Sequence, residues 1–302
     1  LDGNATLIFV PTVYYGTSDS LNGDERDYLT ALAAIDSAVP ICWTGEGVFD
    51  RSISAAESAD VEALIGRNPL IWDNYPVNDY SLAQTLHLAS VEGRGKELLE
   101  SVEGILVNPM VEGNASLFAI ASYGALFDDP QSYDSQTAWS DATVGWGDDI
   151  AFAEWSDLVE LFSTSEKLFP DREELPELNE LIEEFILAVP LYDESEVLQA
   201  SKLLLDRLFS YYSLAGKLED RLLSNGLYEE LYYRLQKLSV ESEKNILAVN
   251  LMLSDVYNVR SDFSNYEDRL SEMPDVSEWR YNVADDTYSR LLGELQGKTR
   301  DA

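Results

Sequence analysis

The sequence predicts an α/β layer followed by an all-α region: the second half of a (β/α)8 TIM barrel, with four parallel strands, and then a C-terminal helical bundle. Three observations carry this reading. Short apolar runs recur at Thr6–Val10, Val39–Trp43, Leu70–Trp72 and Gly104–Val107, roughly 30 residues apart, which is the length of one βα unit. Helix-like stretches separate them. From about Asp129 the strand-like runs stop, and no proline occurs between Pro190 and Pro274, so long unbroken helices become possible there.

Taken in order, the stretch Asp24–Ile35 brings Tyr28, Leu29, Leu32 and Ile35 to one helical face. Ser54–Ile65 opens with Ser54 and Glu57 as a capping box and stops at Gly66. Asn114–Phe127 reads as the helix after the fourth run. Apolar strands without polar alternation, joined by helices, predict a parallel sheet buried on both faces. Four such units close only half a barrel and leave sheet edges and half a core open, so an upstream half or a partner is expected to complete it. Leu1 is not a methionine, and the natural start is expected upstream.

Further along, Leu178, Leu181, Ile182, Phe185 and Val189 fall at helical spacing. So do Val197, Ala200, Leu204, Leu208, Tyr211 and Ala215, with Asp193 and Glu196 as a start and Asn225-Gly226 as a stop. Ile246, Val249, Leu253, Val256 and Tyr257 mark another helix, and Val276–Leu295 a last one. The tyrosines 211, 212, 228, 232 and 233 are expected to pack in the core and at interfaces. The domain division is therefore 1–128 for the barrel half and 129–302 for the bundle.

Composition narrows the function. A formal charge of −36 over 302 residues repels phosphate, which argues against nucleic acid and against anionic membranes as partners. Such a surface is best tolerated in salt, where the Debye length is short. No stretch approaches the roughly 20 uncharged apolar residues of a membrane span, so a soluble protein, cytoplasmic or secreted, is expected. With one cysteine, Cys42, and one histidine, His87, neither a disulfide framework nor a metal or cofactor site is expected. His87 reads as a solvated loop residue. The sequons at Asn4 and Asn114 fall inside expected elements and read as chance matches.

The densest chemistry lies at the third run, where Trp72-Asp73-Asn74-Tyr75-Pro76-Val77-Asn78-Asp79-Tyr80 combines carboxylates, amides and aromatics. Pro76 stops the strand, so Asn74 and Asp79 can face the barrel mouth, the rim where barrel enzymes build their sites. A carboxylate beside a flat aromatic wall suits a sugar, with hydroxyls that need acceptors and C–H faces that need apolar contact.

At these residues the chain resembles glycoside hydrolase family 84, the O-GlcNAcases and related β-N-acetylglucosaminidases once called hyaluronidases. Phe9-Val10-Pro11-Thr12-Val13-Tyr14 is similar to the family's Cys-Pro-Thr-Glu-Tyr strand end, with Val10 and Val13 in place of its cysteine and glutamate. Trp43-Thr44-Gly45, Trp72-Asp73-Asn74 through Asn78-Asp79-Tyr80, and Asn108-Pro109-Met110 with Glu112 resemble its other motifs, in order. Leu88-Ala89-Ser90 stands where the family has Leu-Gly-Pro, while Gly93-Arg94 is retained.

The resemblance implies substrate-assisted, retaining hydrolysis of terminal β-linked N-acetylglucosamine through an oxazoline, without a cofactor. It implies that Tyr14 donates to the acetamide oxygen and that Trp72, Thr44 and Val48 line the pocket for the acetamide methyl. Asn74 would support the acetamide-binding carboxylate, Asp79 would accept from the O4 and O6 hydroxyls, and Asn108 would bind another ring hydroxyl. The family's adjacent pair of catalytic aspartates has no counterpart in this chain and is expected upstream of Leu1. Asp128-Asp129, Asp148-Asp149 and Asp285-Asp286 read instead as caps or solvated faces. A glycosylated protein or glycan is the implied partner, and a homodimer through the bundle is a further expectation. The alternative is a non-catalytic N-acetylglucosamine-binding or helical-bundle interaction module.

Overall fold

Proline and parity decide how much strand the four apolar runs form. The computed structural model describes residues 6–82, 85–144, 154, 157–158, 161–162, 175–191, 194–222, 226–257, 264–276 and 287–293. Among these the sheet has three parallel strands, not four: β1 (Cys42–Trp43), β2 (Leu70–Asp73) and β3 (Gly104–Val107), in that spatial order. The Thr6–Val10 run contributes a single parallel bridge, Phe9 to Ile41, made by Phe9 N–H on the Pro40 carbonyl and Cys42 N–H on the Phe9 carbonyl. Along a parallel ladder the next donor would be residue 11, and Pro11 has no N–H. The pairing ends there for that reason.

The register Leu70 to Gly104 and Asp73 to Val107 fixes the two faces of the sheet by the period of two. Phe9, Ile41, Trp43, Ile71 and Ile105 point to the side covered by helices. There they meet Leu29 and Leu32 of α1 (Gly23–Leu32), Val61 and Ile65 of α2 (Ala55–Ile65) and Leu98 of α3 (Lys96–Leu99) in one core. A second core gathers Tyr75, Leu82 and Val91 with Ala119, Tyr123 and Leu126 of α4 (Gly113–Asp128), and α5 (Ser135–Val144) packs on α4. The other face carries Ile8, Val10, Trp72 and Leu106, all exposed. Burial on both faces, as expected from the unalternated runs, is thus found only in part: Cys42 and Leu70 of this second face are buried, while its remaining apolar residues stay exposed because the described helices pack on the first side.

Local signals set the helix ends. Ser54 accepts the N–H of Glu57 while the Glu57 carboxylate accepts the N–H of Ser54, the reciprocal cap read from the sequence, and Gly66 closes α2 at φ 72°. Asn22 and Glu25 form the same box on α1.

The chain divides into two compact units, the first containing the described residues 6–82 and 86–144 and the second those from 154 onward together with Thr85. The second unit is helical. Its α6 (Pro176–Ala188) buries Leu178, Ile182 and Phe185, and α7 (Glu194–Leu222) buries Val197, Leu204, Leu208 and Tyr211. α6 packs against α7, and α7 in turn against α8 (Leu227–Val256), which is longer than the expected helix and begins directly after Gly226. A short α9 (Ser264–Glu272) follows, and residues 287–293 are helical. The tyrosines split: Tyr211 and Tyr228 are buried, whereas Tyr212, Tyr232 and Tyr233 are exposed. Asp193, Asn225, Asp148-Asp149 and Asp285-Asp286, and most of the Val276–Leu295 stretch, lie outside the described residues. No described helix is long and apolar enough to cross a membrane.

Candidate active site

The carboxyl ends of β1 and β2 open into a cavity of about 270 Å³, lined by Val10, Tyr14, Cys42, Thr44, Val48, Phe49, Trp72, Asn74 and Asp79. That is just under the roughly 300 Å³ at which pockets for drug-sized ligands begin, and it suits a single ring.

Backbone pairing brings Tyr14 to this rim. Thr44 N–H donates to the Tyr14 carbonyl at 2.8 Å, Gly16 N–H to the Gly45 carbonyl at 2.9 Å, and the buried Trp43 indole N–H to the Gly16 carbonyl at 3.0 Å. The Trp43 ring lies in the core behind the strand, so its single polar atom anchors the Tyr14 segment from the rear.

The next wall is a tight loop. Thr44 Oγ1 donates to the Gly47 carbonyl at 2.8 Å, and Gly47 N–H donates to Asp50 Oδ2 at 2.8 Å. Gly45 sits at φ 117°, and a Cβ there would stand 2.2 Å from Asp50 Oδ2, so the loop can close only over glycine. It presents Val48 and Phe49 to the cavity. Burial, aided by Glu57 and Glu46 and opposed by the Gly47 bond and Arg94, pushes the Asp50 carboxyl up from its ordinary value. Burial likewise pushes the Cys42 thiol up, so it lines the floor as a neutral group.

Asn74 joins the walls. Its Nδ2 donates to the Val48 carbonyl at 2.6 Å, and its Oδ1 accepts from Trp72 Nε1 at 3.1 Å and from Asn108 Nδ2 at 2.9 Å. Trp72 is 36% exposed and lies against the cavity as a flat wall. Beyond Pro76, Asn78 accepts Val111 N–H at 3.1 Å and donates to Glu112 at 2.7 Å, tying the end of β2 to the end of β3. Asp79 follows, exposed, with its carbonyl accepting Leu82 N–H at the start of a 3-10 turn. Among the described residues it is the carboxylate that lines the cavity.

Tyr14, Thr44, Val48, Trp72, Asn74 and Asp79 therefore surround one space, and Asn108 adjoins it through Asn74. Sequence reasoning missed Cys42 and Phe49. Cys42 shares its sheet face with Thr44 two residues on, a parity that could have found it, whereas nothing local marks Phe49. His87 is not solvated: it is buried, its backbone N–H donates to Met110 Sδ at 3.2 Å, and its ring lies 5.8 Å from that of Tyr75. Ser116 of the Asn114 sequon is buried too, donating to the Glu112 carbonyl and accepting Met110 N–H. Asp128 and Asp129 end α4, where Asp129 accepts from Gln131 and Ser132. No group of three His, Cys, Asp or Glu among the described residues could hold a metal ion.

A family model described as beta-N-acetylglucosaminidase matches residues 1–155. The chain belongs to this family, glycoside hydrolase family 84. Relatives named protein O-GlcNAcase from Mus musculus and Rattus norvegicus are each 34% identical over 116 residues, which is 38% of this chain and 13% of theirs. The chain thus spans only a small part of the length of these family members. Among solved structures, an O-GlcNAc hydrolase mutant of Thermobaculum terrenum is similar over 97% of this chain and 61% of its own, with a TM-score of 0.78 and 21% identity. CpGH84B is similar over 98% of this chain and 52% of its own, with a TM-score of 0.78 and 20% identity. At that identity the likeness concerns the fold, and it extends across both units of this family 84 chain.

Proposed function

We propose that the protein holds the terminal β-linked N-acetylglucosamine of a glycosylated protein or glycan in this cavity, as the sugar-binding half of a retaining, substrate-assisted hydrolase. The observation that carries the reading is the cavity itself: a one-ring space with an indole wall, a tyrosine hydroxyl and one exposed carboxylate at the carboxyl ends of parallel strands. The family membership supports it.

In this reading the acetamide oxygen attacks the anomeric carbon as the bond to the departing oxygen breaks, giving an oxazoline that water then opens with net retention. Tyr14 donates to the acetamide oxygen, and Thr44, Val48 and Trp72 enclose its methyl group. Held so, the internal nucleophile gains the large effective molarity of an oriented intramolecular reaction. Asp79 accepts from O4 and O6, and Asn108 from its place beside Asn74 binds a further hydroxyl, with Asn74 supporting the acetamide-binding carboxylate. No cofactor is needed. Of a pair of adjacent aspartates on a segment upstream of this chain, one is that acetamide-binding carboxylate, polarising the acetamide, and the other serves as general acid and then base. The segment completes the barrel over residues 1–128 and covers the apolar face formed by Ile8, Val10, Trp72 and Leu106. Exposed apolar area of this kind is the usual mark of a missing partner. The helices of the second unit then serve self-association, for which the exposed Tyr232 and Tyr233 of α8 are candidates. A monomer in sedimentation would count against that last point.

The test is hydrolysis of an aryl β-N-acetylglucosaminide by the 302-residue chain and by the same chain extended upstream through its reading frame. Activity in the extended form alone supports the proposal. Activity in the short chain moves the catalytic carboxylates to Glu46, Asp79 or Glu112, since the fourth candidate, Asp73, is buried on Arg94, and binding without activity in either form leaves a non-catalytic N-acetylglucosamine-binding module.

A further inference from the structure

A side chain that makes five hydrogen bonds lies behind the cavity, not in it. Arg94 is buried, and its guanidinium reaches three separate segments. Nε and Nη2 donate to the two oxygens of Asp73, each at 2.8 Å. Nη2 also donates to the Asp50 carbonyl at 2.8 Å, and Nη1 to the carbonyls of Arg51 at 2.6 Å and Glu92 at 3.0 Å. Burial alone would lower the pKa of this guanidinium, but Asp73 overrides it and raises it above its ordinary value.

The approach is built into the backbone as well. Ile53 N–H donates to the Gly93 carbonyl at 3.0 Å, and Ile53 and Arg94 form a parallel bridge. Gly93 has φ 71°, and a Cβ there would stand 2.4 Å from the Arg51 carbonyl oxygen. The two segments therefore press together only because residue 93 is glycine.

Two of the groups that Arg94 grips are next to cavity walls. Asp73 precedes Asn74, and Asp50 and Arg51 end the loop that presents Val48. Across the cavity side, Asn74 Nδ2 closes the same two segments on the Val48 carbonyl at 2.6 Å. The fork of Arg94 and the amide of Asn74 thus hold the end of β2 and the 45–51 loop at a fixed separation from opposite sides. That separation sets the room between Trp72 and Val48.

We propose that Arg94 is a positioning residue that sets the width of the N-acyl pocket, so that the protein selects N-acetyl over longer N-acyl glucosamines through a contact outside the cavity. This rests on the reading that Thr44, Val48 and Trp72 enclose the acyl methyl. A lysine at 94 would keep the charge but not the planar fork that bridges Asp73 and two carbonyls at once.

Binding of N-acetyl-, N-propionyl- and N-butanoylglucosamine to the 302-residue chain, by calorimetry or ligand-observed NMR, tests the idea. Each extra methylene that a rigid pocket rejects is worth roughly tenfold or more in discrimination. Arg94→Lys and Arg94→Met should reduce the preference for N-acetyl over N-butanoyl by about tenfold, with the N-acetyl affinity falling and the N-butanoyl affinity falling less or rising. A role confined to folding would scale all three affinities by one factor. If Arg94→Met fails to fold by circular dichroism, Arg94→Lys and Asp73→Asn loosen the same lock more gently. An unchanged preference in a folded variant overturns the inference and leaves the sugar reading intact. If the wild-type 302-residue chain binds none of the three sugars, the same series is run on the chain extended upstream, and no binding there overturns both.

Discussion

Asn74 donates its amide to the Val48 carbonyl at 2.6 Å, joining the end of β2 to the loop that follows β1. The same side chain accepts from Trp72 and Asn108, so one asparagine holds the indole wall, the loop wall and a third rim residue together. Asn74→Ala should leave two donors and one carbonyl without this partner, at about 0.5–1.5 kcal/mol for each of the three partly exposed bonds. The expected outcome is N-acetylglucosamine affinity reduced roughly five- to a hundredfold, measured by calorimetry. Asn74→Asp should be at least as damaging, because it sets a carboxylate oxygen against the Val48 carbonyl.

Asp79 stands exposed at the cavity edge, so its substitution tests ligand contact with little effect on packing. Hydrogen bonds to a charged acceptor contribute about 1.5–3 kcal/mol. Asp79→Ala should therefore weaken sugar binding by roughly tenfold to a few hundredfold, with the thermal midpoint within a degree or two of wild type. Equal affinity in the variant would remove Asp79 from the site.

The Asp50 carboxyl is raised chiefly by burial, and this gives a signed pH dependence. Below the unfolded value of about 3.9 the group is protonated in both states and contributes no difference. As pH rises from there to the folded value, the folded chain keeps the proton that the unfolded chain releases, so stability falls, and the full penalty persists above it. Asp50→Asn keeps an oxygen to accept Gly47 N–H and removes the charge. The variant should be the more stable at pH 7, and its advantage should vanish below about pH 4, read from denaturant midpoints across the pH range.

What could be read from the sequence follows the range of the interaction involved. The Ser54–Glu57 box and the stop at Gly66 span a few residues and are written in the chain, and α2 runs between them as expected. Helical stripes such as Val197, Leu204, Leu208 and Tyr211 are equally local and are all buried. The Thr6–Val10 run shows where locality fails, since its apolar character favours a strand while Pro11 denies the ladder its next bond. His87 is buried because Tyr75 and Met110, distant in sequence, close around it. The rim motifs indicated which residues surround the cavity. The part played by Arg94 could not be read, because it depends on Asp73 and the Asp50-Arg51 pair arriving from two segments distant in the chain.

The charge of −36 yields a prediction about the whole chain. Fifty-six acidic against twenty basic residues leave most carboxylates without a cation to pair with, and folding brings them closer together than in the extended chain. That self-repulsion opposes the compact state. Salt shortens its reach, from a Debye length of about 10 Å at 0.1 M to about 3 Å at 1 M. Several of the ion pairs among the described residues that salt would weaken in return are exposed, such as Lys202 with Asp206, and are worth little, whereas Arg94 with Asp73 is shielded by burial. Stability should therefore rise between 0.05 and 1 M sodium chloride. Each kcal/mol gained should appear as roughly 2–4 °C in the thermal midpoint. Scanning calorimetry in sodium chloride, with sorbitol at matched osmolality as the uncharged control, measures it. A midpoint that falls with sodium chloride, or rises no more than in sorbitol, would mean that the carboxylates are already spaced widely enough not to strain the fold.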